Sequence, residues 1–415
     1  MDERDLSVVR AQFPALSREL DGRPCVFVDS PGGSQVPERV IKAMAGYLRT
    51  SNANTHGEFP TSAETDRLVE DAHRAAADLL GCKPDEAVFG PNATTLLFAI
   101  SRSIARTLEP GDEVVVSRLD HDANIRPWVT AAEDAGATVR WVDVRDADVT
   151  LDLDSFDAAL TKQTKVVALT LASNAVGTVP NAADLAARVK ERTDALVVFD
   201  AVHFAQHRLI DVREVGADLL VCSPYKIFGP HLGILFGRRE LLTSLRPYKL
   251  RPASDDLPYR WETGTMNHEG YAGFVAAVDY LADLALPGDG PVPPRRERLA
   301  SGFRAIREHE RALAARFLAG LARLPYVRLY GIADRGRLAE RTPTFAVRVG
   351  DQHPLETAKA LGERGIFVWD GHYYAIELME RLGLLGTGGA VRIGFCHYNT
   401  AEEVDRVLDE LASLA

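Results

Sequence analysis

Buried β-strands that alternate with amphipathic helices constrain the fold of this chain more than any other feature. Apolar runs rich in Val, Leu and Ile recur through its first half, separated by segments with helical periodicity such as ERVIKAMAGYLRT and DLAARVKERT. Continuous apolar strands between helices predict a mostly parallel, doubly wound α/β sheet. The predicted strands are CVFVD (25–29), EAVFG (86–90), DEVVVS (112–117), TVRWVDV (138–144), KVVALTLA (165–172), ALVVFD (195–200) and DLLVCS (218–223).

The pattern changes after about residue 270. A helical segment, YAGFVAAVDYLADL, precedes a Pro- and Gly-rich stretch, PGDGPVPPRRE (287–297), then a long charged helix and strands in TPTFAVRVG, GIFVWD and GAVRIGF. This order predicts a second, smaller α+β domain. We therefore expect an N-terminal segment (1–20) that packs on the small domain, a large ligand-binding domain (21–270) and a small C-terminal domain (271–415).

Composition excludes several classes of protein. A formal net charge of -11 without a basic run argues against a nucleic-acid partner, and no apolar stretch is long enough to span a membrane. The N-terminal MDERDLSVVRAQFP is charged where a signal peptide needs an apolar centre, which predicts a cytoplasmic protein. Four cysteines without a CxxC pair are typical of small buried thiols rather than of disulfides or zinc. The expected partner is a small molecule.

Two charged residues follow predicted buried strands. Asp200 ends LVVFD, and Lys226 lies in LLVCSPYKIFGP (219–230), where Gly229-Pro230 precludes a long helix. Ligands of α/β sheets gather at these strand ends. Taken alone, the two residues fit a buried ion pair as well as they fit a pyridoxal phosphate site. In the second interpretation Lys226 binds the cofactor's aldehyde and carries protons, while Asp200 keeps the ring nitrogen protonated.

A pyridoxal phosphate site also requires groups for the phosphate and the ring. In FGPNATTLLFAI, Thr94 and Thr95 open an apolar helix whose free amides suit a phosphate, although such a stretch is more often an ordinary helix cap. Ser223 would add a hydroxyl to the same phosphate. His121, in RLDHDAN after the strand DEVVVS, would cover the ring, although a single loop histidine is usually a surface residue.

Competing motifs were weighed against this interpretation. Ser223-Pro224-Tyr225-Lys226 matches the S-x-x-K signature of β-lactamases, but IFGPHLG breaks the helix that this signature begins, and no Lys-Thr-Gly follows. The sequence also contains no HExxH, Walker A or GxGxxG motif. These readings are therefore set aside.

The motifs together resemble the class V aminotransferase family, which has fold type I of the pyridoxal-phosphate-dependent transferases, and within it the cysteine desulfurase and selenocysteine lyase branch. The similarity runs from VFVDSPGGSQVPERVIKAM to VRIGFCHYNTAEEVDRVLDEL, essentially the whole chain. The motifs occur in the order of the family: ATT, DHDAN, LASNAVGTVPN, D-x-x-H, S-P-Y-K with GPHLGILFG, WETGTMN and V-R-I-G. The resemblance implies pyridoxal 5'-phosphate as the cofactor, bound by the large domain.

The resemblance also implies roles for individual residues. Lys226 would carry the cofactor, Asp200 would pair with the ring nitrogen and His121 would stack on the ring. The other cofactor-binding residues would be Asn174, His203 (glutamine in many relatives), Thr94, Thr95, Ser223, Tyr225 (often histidine in relatives) and, from the opposite subunit, Thr265. The substrate-binding residues would be Arg392, which suits a carboxylate, with Asn54, Trp369, His372 and Tyr374. Sharing of Thr265 between subunits implies a homodimer.

One departure from this branch bears on function. Its desulfurases carry a mobile-loop cysteine, commonly in R-x-G-H-H-C, that attacks the substrate's sulfur. The corresponding stretch, VWDGHYYAIELMERLG (368–383), has Trp369 in place of that arginine and Tyr374 where the cysteine would fall. Cys396 in the last strand and Cys222 in the core are poor substitutes. Desulfuration through a protein persulfide is therefore not expected.

The predicted function is an enzyme that acts on an amino acid through removal of its Cα proton. A carbon–sulfur lyase that works by β-elimination without a protein cysteine fits best. An aminotransferase or an amino-acid epimerase of the same family is the alternative, and a non-catalytic protein with this fold is a remote one. The aromatic loop that contains Trp369, His372, Tyr373 and Tyr374 favours a substrate larger or less polar than free cysteine.

Overall fold

The computed structural model describes residues 3–285 and 291–414. Residues 287–290 of the predicted Pro- and Gly-rich breaker (287–297) lie outside these residues. The α-helices are α1 (Glu3–Arg10), α2 (Glu38–Thr50), α3 (Pro60–Leu80), α4 (Ala93–Ala105), α5 (Arg126–Ala135), α6 (Leu153–Ala159), α7 (Ala182–Arg192), α8 (Arg239–Ser244), α9 (His268–Asp283), α10 (Arg295–Leu321), α11 (Pro354–Glu363), α12 (Ile376–Arg381) and α13 (Ala401–Ala412). The strands are β1 (Glu19–Leu20), β2 (Arg23–Pro24), β3 (Val26–Phe27), β4 (Ala87–Gly90), β5 (Glu113–Ser117), β6 (Thr138–Val142), β7 (Thr164–Thr170), β8 (Leu196–Asp200), β9 (Leu219–Cys222), β10 (Gly233–Gly237), β11 (Val327–Tyr330), β12 (Thr344–Val349), β13 (Ile366–Phe367), β14 (Trp369–Gly371) and β15 (Ala390–Gly394).

Within the described residues, seven strands form the large sheet, in the order β4-β10-β9-β8-β7-β5-β6. The pairs from β6 through β9 are parallel, and β10 is antiparallel to both of its neighbours. The predicted mostly parallel α/β sheet is confirmed. Strand β10 was not predicted, because GILFG lies between two glycines directly after a Gly-Pro turn.

Helices cover both faces of the large sheet, which explains why its central strands are apolar at most positions. Val115, Val167 and Val197 pack into one core, and their neighbours Val114 and Val198 pack into the core on the opposite face. Because successive strand residues point to opposite faces, a strand covered on both sides needs apolar residues throughout. The polar residues at the strand ends are therefore the exceptions to explain.

A second sheet lies in the C-terminal part of the chain. Its strands are antiparallel, in the order β11-β12-β15-β14, and the core beneath them includes Phe317 of α10 and Val404 of α13. The N-terminal part of the chain contacts this region, since Arg10 forms a 2.9 Å ion pair with Glu403 and β3 pairs in parallel with β13. The proposed domain boundaries at residues 20 and 270 remain predictions. No helix in the described part of the chain is long and apolar enough to cross a membrane.

Candidate active site

The carboxyl ends of the central strands bring most of the predicted site residues to two adjoining cavities. The inner cavity, of about 90 Å³, is lined by Thr94, His121, Asn174, Asp200, His203, Ser223, Tyr225 and Lys226, together with backbone and small residues around them. The outer cavity, of about 920 Å³, shares Thr94, His121, Asn174, Tyr225 and Lys226 with it and adds Thr95, Trp369, His372, Tyr374 and Arg392. Asp200 and Lys226, which were predicted from the strand ends, therefore line one cleft.

Lys226 ends a short 3₁₀ turn, Pro224–Lys226, that directly follows β9. Its side chain is buried, and Nζ donates a 2.7 Å hydrogen bond to the carbonyl oxygen of Pro31. Burial, together with the charge of Arg392, lowers the pKa of Lys226 to about 7, although Asp200 acts in the opposite direction. A buried amine that is partly neutral near pH 7 can act as a nucleophile and as a base.

Asp200 is the last residue of β8, and its carboxyl group is almost fully buried. Desolvation raises its pKa to about 6, opposed by the 2.8 Å hydrogen bond that the Val202 amide donates to Oδ1 and by the charge of Lys226. A cationic group bound beside Asp200 would favour the ionised carboxylate.

The N-terminus of α4 lines the cleft. The Asn92 side chain caps the helix by accepting a 2.8 Å hydrogen bond from the Thr95 amide, and Ser223 Oγ accepts one of 3.3 Å from the Ala93 amide. A Cβ atom at Gly233 on β10 would overlap the Asn92 backbone, so glycine permits this turn to pack on the sheet. Of the first four amides of α4, that of Thr94 has no partner among the described residues, and this amide and the Thr94 hydroxyl suit a phosphate.

The ring of His121 lies between the two cavities. It accepts a 3.0 Å hydrogen bond from the Ala123 amide through Nδ1 and stacks on Tyr374, with ring centroids 5.5 Å apart and planes inclined by 18°. Burial and the charges of Lys226 and Arg392 lower the pKa of His121 to about 3. The imidazole is therefore neutral at pH 7 and can pack against a flat ligand.

Arg392 and Asn174 are held by the loop that contains Tyr373. The guanidinium carbon of Arg392 lies 4.5 Å from the Tyr373 ring centroid, and Nη1 donates a 3.0 Å hydrogen bond to the Asn174 carbonyl. Asn174 Nδ2 donates a 2.9 Å bond to the Tyr373 carbonyl. Burial lowers the pKa of Arg392 to about 10, which leaves it charged at pH 7. A buried, charged guanidinium at the cavity wall suits a carboxylate.

Several buried polar atoms have no partner among the described residues, and these atoms test whether a cofactor fits. They include Asn174 Oδ1, His203 Nδ1 and Arg392 Nε. Unpaired buried polar atoms are costly and are usually satisfied by a ligand or by water. With the amine of Lys226, the carboxyl of Asp200 and the helix N-terminus, they match a planar ligand that carries an aldehyde, a ring nitrogen and a phosphate.

Asn54 and Thr265 are not brought to this cleft. Both line a separate cavity of about 530 Å³ with Asp66, Glu262 and His268. Thr265 was expected to serve the site of the opposite subunit, and Asn54 would need the same arrangement. Their roles remain predictions.

Two neighbouring groups that contact site residues, Asp120 and Thr344, were not predicted, and Tyr373 was predicted only to help select the substrate. Asp120, directly before His121, is fully buried. Its carboxyl group accepts a 2.7 Å hydrogen bond from Asn124 and a second hydrogen bond from the Ser117 hydroxyl. His203 Nε2 lies 2.9 Å from Thr344 Oγ1 on β12, and Tyr373 holds Arg392. Of the two missed groups, Asp120 had a sequence signal, its place inside the DHDAN motif.

The family model described as "Aminotransferase class-V" matches residues 26–288 and 297–407. The chain belongs to the class V aminotransferase family. The family implies dependence on pyridoxal phosphate, which the residues of the cleft fit.

Several relatives of this class V aminotransferase-family enzyme match it along nearly their whole length. The aminotransferase-like protein FGM3 of Gibberella zeae is 32% identical, covering 96% of both chains. The probable cysteine desulfurase 2 of Mycobacterium leprae is 33% identical, covering 97% of this chain and 95% of its own. The solved structure of the cysteine desulfurase from Thermococcus onnurineus superposes with a TM-score of 0.87 at 27% identity, covering 98% of this chain and 97% of its own. The enzyme is therefore cysteine desulfurase-like, and the predicted fold type I is confirmed.

Proposed function

We propose that this enzyme is a carbon–sulfur lyase that removes a β-sulfur substituent from an amino acid without using a protein cysteine. The observation that carries the proposal is the position of the four thiols. Cys25, Cys222 and Cys396 are buried and Cys82 is partly buried, and among the described residues none of them lines the inner or the outer cavity. Burial raises the pKa of Cys222 to about 12, so this thiol is not a nucleophile at pH 7.

The reaction needs a base at the substrate Cα, an anchor for its carboxylate and a stabilised negative charge. Pyridoxal phosphate, when bound, supplies an electron sink for the Cα carbanion. Lys226 Nζ would remove the Cα proton, Arg392 would bind the α-carboxylate, and the ionised Asp200 would favour a protonated ring nitrogen. The Cβ–S bond then breaks and sulfur leaves with its electron pair. The enamine that is released takes up water and gives pyruvate and ammonia.

Product analysis of the protein reconstituted with pyridoxal phosphate tests this proposal. With L-cysteine or L-cystine we expect pyruvate and ammonia in equal amounts, together with sulfide or a persulfide in solution. The Cys82→Ser variant should give the same products in the same amounts. Lys226→Ala is the control and should form no pyruvate.

Two results would overturn the proposal. Formation of alanine with a persulfide on the protein would mean desulfuration through a cysteine. Conversion of the cofactor to a stable pyridoxamine form, reversed by a 2-oxo acid, would mean transamination, which begins with the same proton removal by Lys226.

We also propose that the active enzyme is a homodimer with shared sites. The exposure of Thr94 and Thr95 at the phosphate end, and the separation of Thr265 from Lys226 within one chain, support this arrangement. If each site is shared between subunits, refolding a mixture of Lys226→Ala and Thr265→Ala protein should restore about a quarter of the sites. About half of the dimers would be mixed, and each mixed dimer would contain one intact site. No recovery of activity would contradict the shared site.

A further inference from the structure

The outer cavity contains a second cation that the proposed reaction does not use. Arg392 is buried, with 5% of its surface exposed, whereas Arg126, the first residue of α5, is exposed and lines the same cavity. The Arg126 side chain forms no hydrogen bond or ion pair with any residue that the structure describes. Because Arg392 suits the α-carboxylate, Arg126 is a candidate for a different anionic group near the cavity mouth.

Asp122, four residues before Arg126, gives this wall a charge of the opposite sign. It begins the 3₁₀ turn Asp122–Asn124 and is half-buried, and its amide donates a 2.7 Å hydrogen bond to the Tyr374 carbonyl. Its carboxylate also lines the outer cavity, and within the described chain it does not pair with Arg126 or with any other cation. The wall therefore offers a guanidinium and a carboxylate that do not neutralise each other by direct contact. Asp370 is a further carboxylate on the lining.

The outer cavity holds part of the cofactor site, since Lys226 and His121 also line it, and its volume is still large beside a small amino acid. Ligand cavities of roughly 300–1,000 Å³ commonly hold drug-sized molecules, and the outer cavity measures about 920 Å³. Its aromatic residues include Trp369, 51% exposed, and Tyr374, 66% exposed. An extended substituent can therefore run from the reacting carbon past apolar rings to a charged group at the mouth.

We propose that the substrate is an amino acid whose β-sulfur carries a substituent that ends in an anion, and that Arg126 binds this anion. The inference rests on the proposed lyase function. In the reaction, the Cβ–S bond breaks, the electron pair stays on sulfur, and the anionic thiol compound departs. With one water molecule, the remaining carbon skeleton becomes pyruvate and ammonia.

Two kinds of substrate share this chemistry. The sulfur can bear a simple anion, as in S-sulfocysteine, which would release thiosulfate. It can also be joined to a second amino acid, as in cystine or cystathionine, whose far carboxylate would pair with Arg126 and whose far ammonium would pair with Asp122. Asp122 therefore distinguishes the two sources of the anion.

The test compares KM values for S-sulfocysteine and cystine with that for S-methylcysteine, which has no distal charge. The KM ratio is the KM for an anionic substrate divided by the KM for S-methylcysteine. Arg126→Gln removes one exposed charged contact and should raise this ratio by about fivefold. Arg126→Lys should restore part of it. Arg304→Gln, an exposed substitution on α10 outside both cavities, is the control and should keep the wild-type ratio. An unchanged ratio in Arg126→Gln for both anionic substrates would overturn the inference.

Asp122→Asn then identifies the source of the anion. A rise in the KM ratio for cystine but not for S-sulfocysteine would support a second amino acid, and an unchanged ratio for cystine would support a simple anion. The substrate-induced change in cofactor absorbance gives half-saturation concentrations without any C–S cleavage. If no sulfur amino acid yields pyruvate, the lyase function fails, and the same absorbance ratio still decides whether Arg126 binds a distal anion.

Discussion

Replacing Asp120 by asparagine should stabilise the protein near neutral pH. The carboxyl group has no exposed surface, and desolvation raises its pKa from 3.8 to about 8, against the opposing hydrogen bonds from Asn124 and Ser117. Between these two values the unfolded carboxyl is ionised and the folded one is protonated, so folding takes up a proton. Stability from this group is complete below pH 3.8 and is lost as the pH rises towards 8.

The size of the effect follows from the same two pKa values. At pH 7 the folded protein carries a cost of ~4 kcal/mol for keeping Asp120 protonated, since each pH unit above 3.8 contributes about 1.4 kcal/mol. Asparagine has the same shape, its Oδ1 can accept from Asn124 and its Nδ2 can donate to Ser117 Oγ. It avoids the proton uptake, so Asp120→Asn should gain stability by up to this amount.

Urea unfolding of the wild type and Asp120→Asn at pH 5, 6 and 7, with saturating cofactor, measures the difference. The stability advantage of the variant should grow by about 1.4 kcal/mol per pH unit over this range. Asp154→Asn, an exposed change in the first turn of α6, is the matched carboxyl-to-amide control. If Asp120 is instead ionised in the folded protein, the variant will be less stable at pH 7 than the wild type. That result would refute the reasoning.

Three further predictions concern the cleft. Because the pKa of Lys226 is about 7, the cofactor-free protein should bind pyridoxal phosphate about tenfold faster at pH 8 than at pH 6, with no further rise above pH 8. Absorbance measures this rate. A rate that keeps rising to pH 10 would indicate an ordinary lysine. Arg392→Lys should lower kcat/KM for amino-acid substrates about tenfold or more, because an ammonium cannot donate the two parallel hydrogen bonds that a guanidinium gives to a carboxylate. An unchanged kcat/KM would show that Arg392 does not bind the substrate carboxylate. Thr344→Val should cost about 1–3 kcal/mol in urea unfolding by depriving His203 Nε2 of its nearer partner, whereas Thr344→Ser should not.

The strand ends could be predicted from the sequence because their polar residues interrupt otherwise continuous apolar runs. Asp200 and Lys226 stand out for this reason, and the topology of a parallel sheet places both at one edge. The roles of Thr94, His121 and Arg392 could not be predicted from local sequence patterns. A helix cap, a loop histidine and a strand arginine are common in any protein, so only the family resemblance connected them to Lys226.

What remained hidden depends on contacts between distant segments. Thr344 approaches His203 across 141 positions of sequence, and the Arg392 clamp depends on the Tyr373 ring and the Asn174 carbonyl. No local pattern encodes such pairs. Asp120 was missed for a different reason, since an aspartate in a loop is normally exposed and its complete burial arises from the surrounding fold.

The loop that would carry a nucleophilic cysteine is bound in a way that fits a different role. Tyr373 and Tyr374 have backbone φ angles of 53° and 57°, a left-handed conformation that is unfavourable for bulky residues and requires support. Tyr374 supplies a carbonyl to the Asp122 amide, the Tyr373 carbonyl accepts from Asn174, and the Tyr373 hydroxyl donates to the Ala390 carbonyl. A thiol that must reach the substrate's sulfur needs a loop free to move, whereas these bonds tie the loop to the cleft wall. This support of the loop favours the proposed lyase function, in which the loop would shape the outer cavity around a substituent.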